Sequence, residues 1–258
     1  MSDVDMINSR PLDTVDLGDG PALLLLPGFA MQPSTYLPTA YLLAQRARII
    51  IPGIFDLPGS WSFAHALDCL EATLDTRGIE EASLLGHSFS GGLVLGLAVR
   101  RPAQVQECIF SDTLADRDRF RLADEALRNP LGILALATPR AATAFVTTCV
   151  THPLQLSAAA LWAFLSDRHC DIARVVAEGI PSHVLWASHD TLLLQSDGRE
   201  FAAELGATFT VAQGSRVEHD WIFEQPKLFV EHLDQLPLRL FGRSSEITII
   251  PERTPRRT

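Results

Sequence analysis

The chain has 258 residues, of which 47% are hydrophobic and 20% charged. That length suits one large domain with room for a small insertion, and the apolar content supports a sizeable core and excludes a disordered chain. The formal net charge of -10 excludes recognition of a nucleic-acid backbone, which needs clustered positive charge.

The first residues carry no apolar run of the signal-peptide kind, and no stretch of about twenty apolar residues occurs anywhere. A soluble cytoplasmic protein without a membrane span is therefore expected, its partner a small-molecule substrate. The oligomeric state stays open. Cys69, Cys108, Cys149 and Cys170 follow no metal-ligand spacing and sit among apolar or helix-forming residues, so they are expected as buried free thiols. Neither a metal nor a cofactor is expected.

Apolar runs closed by turn residues alternate with helix-like segments. Residues 22–26, ended by Pro27-Gly28, and 48–51, ended by Pro52-Gly53, read as buried strands. In 63–77 the apolar residues Phe63, Leu67, Leu70 and Leu74 share one helical face, with Gly78 as the stop. A third strand, 82–86, is followed by a helix over 93–101 that ends at Pro102. Strands are expected at 105–110, 183–187 and 208–212, and a closing helix at 223–236. Continuous apolar strands alternating with helices imply an α/β fold, a mostly parallel sheet flanked by helices on both faces. From 114 to 180 no strand is visible, only Ala- and Leu-rich helical pieces, so this stretch is expected to be an inserted helical cap. The core then comprises 1–113 and 181–242, and 243–258 forms a C-terminal tail.

The third strand runs into Gly86-His87-Ser88-Phe89-Ser90-Gly91-Gly92. A serine at a sharp strand-to-helix turn needs small residues two positions to either side, and Gly86 and Ser90 supply them. Such a turn projects the Ser88 Oγ above a helix N-terminus, where backbone N–H groups favour developing negative charge. Gly91 and Gly92 are expected to let the helix approach the strand. The alternative for Ser88 is a helix cap, a common use of serine. The segment resembles the Gly-x-Ser-x-Gly nucleophile elbow of the α/β-hydrolase superfamily, with Ser90 where glycine is usual.

That resemblance implies a serine nucleophile followed along the chain by an acid and a histidine, each just after a strand. Among the histidines beyond Ser88, only His219 lies between the last strand and the closing helix. The run from His219 through Glu224-Gln225-Pro226 is similar to the family segment that carries the catalytic histidine. Asp190, shortly after the strand at 183–187, resembles the family's strand-end Gly-x-x-Asp acid, with Ala187 in place of glycine. Asp112, at the end of the preceding strand, remains the alternative acid, and Asp220 is expected to be a solvated charge. The resemblance also implies an oxyanion hole made by the backbone N–H groups of Phe89 and of Phe29, the latter in the loop Pro27-Gly28-Phe29-Ala30, where Pro27 replaces the usual histidine.

In this superfamily the cap and loops set specificity. The apolar residues of the expected cap, among them Leu131, Leu134, Phe145, Leu161 and Trp162, divide between its own core and an apolar pocket. The function implied is acyl-enzyme hydrolysis of a small, mainly apolar ester or related carbonyl compound. C–C bond hydrolysis, acyl transfer and perhydrolysis use the same triad, and a non-enzymatic ligand receptor on the same fold is the alternative of a different class.

Overall fold

The computed structural model describes residues 10–113, 138–214 and 216–241. Among the described residues seven strands form one sheet: β1 (Thr14–Leu17), β2 (Ala22–Leu26), β3 (Arg48–Pro52), β4 (Ala82–His87), β5 (Val105–Ser111), β6 (Ser182–Ala187) and β7 (Thr208–Ala212), in the spatial order β1-β3-β2-β4-β5-β6-β7. All neighbouring pairs are parallel except β1 with β3. The sheet is therefore mostly parallel, as expected from its uninterrupted apolar strands.

Alternation along each strand builds two cores, one on each face of the sheet. Leu24 and Leu26 of β2 join Ile50 and Leu84 in the first core. Leu23 and Leu25 join Ile49, Ile51 and Leu85 in the second. All of these side chains are fully buried. Each contributes about 1.5–3 kcal/mol relative to exposure to water.

On the second face lie α1 (Leu37–Leu43), α8 (Trp221–Glu224) and α9 (Pro226–Leu233), packed together. On the first, α2 (Phe63–Thr76), α3 (Gly91–Arg100), α6 (His169–Ala177) and α7 (Gln195–Leu205) pack in series. Ser62 begins α2 by accepting the His65 N–H at 3.2 Å. The Gly206 backbone, at φ 60°, closes α7 in the left-handed conformation that glycine adopts freely. Two further helices, α4 (Pro139–Thr151) and α5 (Pro153–Leu165), also stand between β5 and β6. Leu131 and Leu134 of the expected cap, and the tail 243–258, lie outside the described residues. No helix among the described residues is long and apolar enough to cross a membrane.

Several details differ from the sequence reading. β1, α1 and α7 were not anticipated, and the closing helix is broken at Gln225, where Pro226 opens α9. Cys69 and Cys108 are buried free thiols, but Cys149 is half-buried and Cys170 exposed. Leu161, expected to join a core or a pocket, is 60% exposed.

Candidate active site

The loops after β2, β4, β5, β6 and β7 all open at the carboxyl edge of the sheet, where parallel α/β sheets hold their ligands. At the end of β4, Ser88 has φ 53°, in the left-handed region. For a residue with a side chain this costs about 1–2 kcal/mol and persists only where the surroundings enforce it. The enforcement is visible in the packing. A Cβ on Gly86 would come within 2.8 Å of Val94 Cγ2 and 3.0 Å of the Ser90 carbonyl oxygen. Residues 88–90 form a tight turn leading into α3, whose N-cap is Ser90 rather than Ser88. Ser90 Oγ donates to the Pro27 carbonyl, so the serine in the glycine position ties the elbow to the loop after β2. A Cβ on Gly91 would strike Thr113, two residues past the end of β5, and one on Gly92 would strike Trp162 on α5, so the close approach to the sheet falls to Gly91.

The loops after β6 and β7 are joined by the His189 N–H donating to the Val217 carbonyl at 2.8 Å. They bring His219 Nδ1 to 2.7 Å from Asp190 Oδ2. The other oxygen, Oδ1, accepts from the N–H groups of Leu192 at 2.7 Å and Leu193 at 2.9 Å, which fixes the carboxylate plane. A carboxylate only accepts, so Nδ1 carries the proton and the neutral ring keeps Nε2 as its acceptor. Burial alone would depress His219, but the Asp190 charge and hydrogen bond, with Asp220 and Asp112 behind them, hold it above the ordinary histidine range. Burial alone would raise Asp190; His219 and the two backbone donors hold it low.

Asp112 is fully buried, with φ 46°. Its Oδ1 accepts from the Ala187 N–H at 2.6 Å, and its Oδ2 from Trp221 Nε1 at 2.6 Å and Ser111 Oγ at 2.9 Å. It therefore braces the end of β6 against α8. Burial, and then the Asp190 charge, raise its carboxyl well above the usual range. Asp220 is not a freely solvated charge either. It is half-buried and its carboxyl is raised, by burial first, although it accepts a backbone hydrogen bond from Thr138. His87, His219 and Asp220, and separately Asp112, Asp190 and His219, bring candidate metal-ligand atoms within 4.8 Å of one another. In the second group every carboxylate oxygen already accepts from a protein donor, which suits a hydrogen-bond network better than a cation.

The loop after β2 turns sharply. Met31 N–H donates to the Gly28 carbonyl at 3.1 Å, and Ala30 has φ 61°. Thr148, on α4, lies over this turn, its hydroxyl 2.8 Å from the Ala30 carbonyl oxygen. The rings of Phe29 and Phe89 stand 5.6 Å apart, which sets the two expected oxyanion segments side by side. Around them Phe55, Trp61, Phe145 and Trp162 complete an aromatic wall. The sequence reading passed over Tyr36, His87 and Thr148. Only His87 left a local trace, an imidazole directly after an apolar strand.

No family model matches the chain. The 2-hydroxymuconate semialdehyde hydrolase of Pseudomonas putida is 34% identical over a match that covers 37% of this chain and 37% of that protein. This chain thus matches little more than a third of that relative's length. Among solved structures, a thermophilic esterase from Thermogutta terrifontis superposes with a TM-score of 0.70 at 20% identity, over 86% of this chain and 91% of that one. The enol-lactonase from Burkholderia xenovorans LB400 superposes with a TM-score of 0.68 at 18% identity, over 86% and 95%.

Proposed function

The chain has the α/β-hydrolase fold, and from that premise we propose that it is a serine hydrolase working through an acyl-enzyme on a small, mainly apolar ester or related carbonyl compound. Two observations carry the proposal: the 2.7 Å contact between His219 Nδ1 and Asp190 Oδ2, and a serine held at positive φ at the end of β4, next in sequence to His87, whose ring centroid is 5.0 Å from that of His219.

In this mechanism His219 Nε2 takes the hydroxyl proton of Ser88 as Oγ attacks the substrate carbonyl carbon. The backbone N–H groups of Phe29 and Phe89 bind the oxygen as it becomes negative, and Asp190 stabilises the imidazolium. The imidazolium returns its proton to the leaving alcohol, and a water that His219 then deprotonates releases the acid. Residues 114–180 act as the cap. The half-buried Phe29, Phe145 and Trp162 offer apolar surface to an acyl group. The local match to the Pseudomonas putida protein makes 2-hydroxymuconate semialdehyde the second substrate to assay.

The test is labelling with a fluorophosphonate, mapped by mass spectrometry on wild type and His219→Ala. The expected result is modification of Ser88 alone, lost in the variant. Absence of labelling in folded wild type overturns the hydrolase reading and favours a ligand receptor on the same fold.

A further inference from the structure

Tyr36 and His87 are both buried, 0% and 1% exposed, and belong to no part of the mechanism just described. They nevertheless connect its two halves. The Gly28 N–H lies 2.8 Å from the Tyr36 hydroxyl, that hydroxyl lies 2.7 Å from His87 Nδ1, and His87 Nε2 lies 3.1 Å from the backbone carbonyl oxygen of His219.

The two ends dictate the direction of every bond. A backbone carbonyl only accepts, so His87 must donate from Nε2. Burial, and then the neighbouring His219, push His87 far down, to about 3, so the ring is neutral and its Nδ1 is bare. Tyr36 therefore donates to Nδ1, and its oxygen is left to accept from Gly28. No group in the chain has a free choice, so the network has one proton arrangement.

We infer that Tyr36 and His87 form a buried strut that positions the oxyanion loop relative to the general base; the inference rests on the serine-hydrolase reading of this site. Gly28 directly precedes Phe29, the proposed oxyanion donor, and the other end of the strut holds the backbone of the base itself. Pro27 has no side-chain donor or acceptor with which to brace the loop. The strut fills that place so closely that a Cβ on Gly28 would meet His87 Nδ1 at 2.9 Å and the Tyr36 hydroxyl at 3.3 Å. The rings are wedged as well. Tyr36 and His87 both stand edge-on to Phe223, with centroids at 5.3 and 6.1 Å, and the His87 ring centroid is 5.0 Å from that of His219. Both are positioning residues; neither is placed to touch substrate.

Tyr36→Phe removes the hydroxyl and keeps the ring. With an activated ester, kcat should fall about ten- to a hundredfold, a part of what losing a whole oxyanion donor costs, while KM stays within about twofold. The affinity for a trifluoromethyl ketone, which forms a tetrahedral adduct, should fall by the same factor as kcat/KM. His87→Gln, which offers an amide N–H to the His219 carbonyl but a different acceptor geometry to Tyr36, should show the same kcat-specific loss. A residue that merely supports the fold would lower melting temperature and the titre of active sites while leaving kcat per titrated site unchanged, and that result would overturn the inference. In wild type, 15N NMR of histidine should show His87 protonated at Nε2 and bare at Nδ1 throughout about pH 5 to 9; an Nδ1-protonated ring overturns the strut. The two readings fail separately. If wild type is not labelled at Ser88 the hydrolase reading fails, whereas normal labelling with an unaffected Tyr36→Phe removes the strut alone.

Discussion

Asp112 and Asp190 leave the ends of neighbouring strands and bring carboxylate oxygens within 4.8 Å of each other and of a His219 ring nitrogen. Only Asp190 bonds the imidazole, because the oxygens of Asp112 are taken by Ala187, Trp221 and Ser111. Asp190→Asn should therefore lower kcat by about 10³–10⁴, the scale on which a triad loses its correct tautomer. Asp112→Asn should keep kcat within about tenfold but turn an amide N–H toward a protein donor, lowering stability by about 1–3 kcal/mol. Kinetics and urea unfolding on the pair decide between the two acids. The opposite pattern would make Asp112 the triad acid.

Acylation needs neutral His219, whose charged form is favoured by the carboxylates around it. The kcat/KM profile should accordingly rise with pH and level off only above the ordinary histidine value of 6.5. An NMR titration of His219 in Asp190→Asn should move toward lower pH, since the largest raising charge is gone. The same pairing stabilises the fold over a defined window. The contribution of His219 is fully present below 6.5 and is lost as pH rises through its raised folded value. The contribution of Asp190 is present above 3.8 and is lost as pH falls through its lowered one.

Far from the site, Glu107 on β5 is fully buried and accepts from Ser83 Oγ at 2.8 Å and from the N–H groups of Arg239 and Leu240, both at 2.9 Å. It anchors the chain after α9 to the sheet. Glu107→Gln presents an N–H where an acceptor is required and should cost about 1–3 kcal/mol in urea unfolding, with kcat unchanged. Burial alone would raise this carboxyl, but its donors and His183 hold it below 4.5. The stability it confers is thus present above pH 4.5 and disappears as pH falls through the folded value.

Thr148 ties α4 to the loop after β2 through the Ala30 carbonyl. Thr148→Val keeps the shape and removes the hydroxyl that donates toward Ala30 and accepts from Gln32 Nε2 at 3.0 Å, hydrogen bonds worth about 1 kcal/mol each. If that energy positions Phe29, kcat/KM should fall about fivefold with little change in melting temperature. An unchanged kcat/KM would show that α4 rests on the loop without steadying it.

What the sequence disclosed follows from how local each signal was. β2 was legible because all five of its residues are apolar and buried, and β4 because Leu84 and Leu85 run straight into the glycine-bounded turn at Ser88. β1 was not, since Thr14–Leu17 is a half-buried edge strand of only four residues. α7 was obscured by its polar run and by Gly198 within it, a glycine whose Cβ would strike Trp186. Ser88, Asp190 and His219 could be named because each sits in a short motif at a strand end. The Tyr36–His87 link could not, because 51 positions separate its members and only the folded sheet makes them neighbours.

Ala30, Ser88 and Asp112, at φ 61°, 53° and 46°, are three of the four described non-glycine residues held at positive φ, and all three border the site. Glycine at any of them would relieve left-handed strain of about 1–2 kcal/mol, against about 0.5–1 kcal/mol for the freedom it adds to the unfolded chain. At 88 it deletes the nucleophile, at 112 it unties β6 from Trp221, and at 30 it frees the turn that carries Phe29. At 88 and 30, selection for a hardier protein and selection for a faster one therefore pull in opposite directions, whereas at 112 the hydrogen bonds of the carboxylate hold the residue against both.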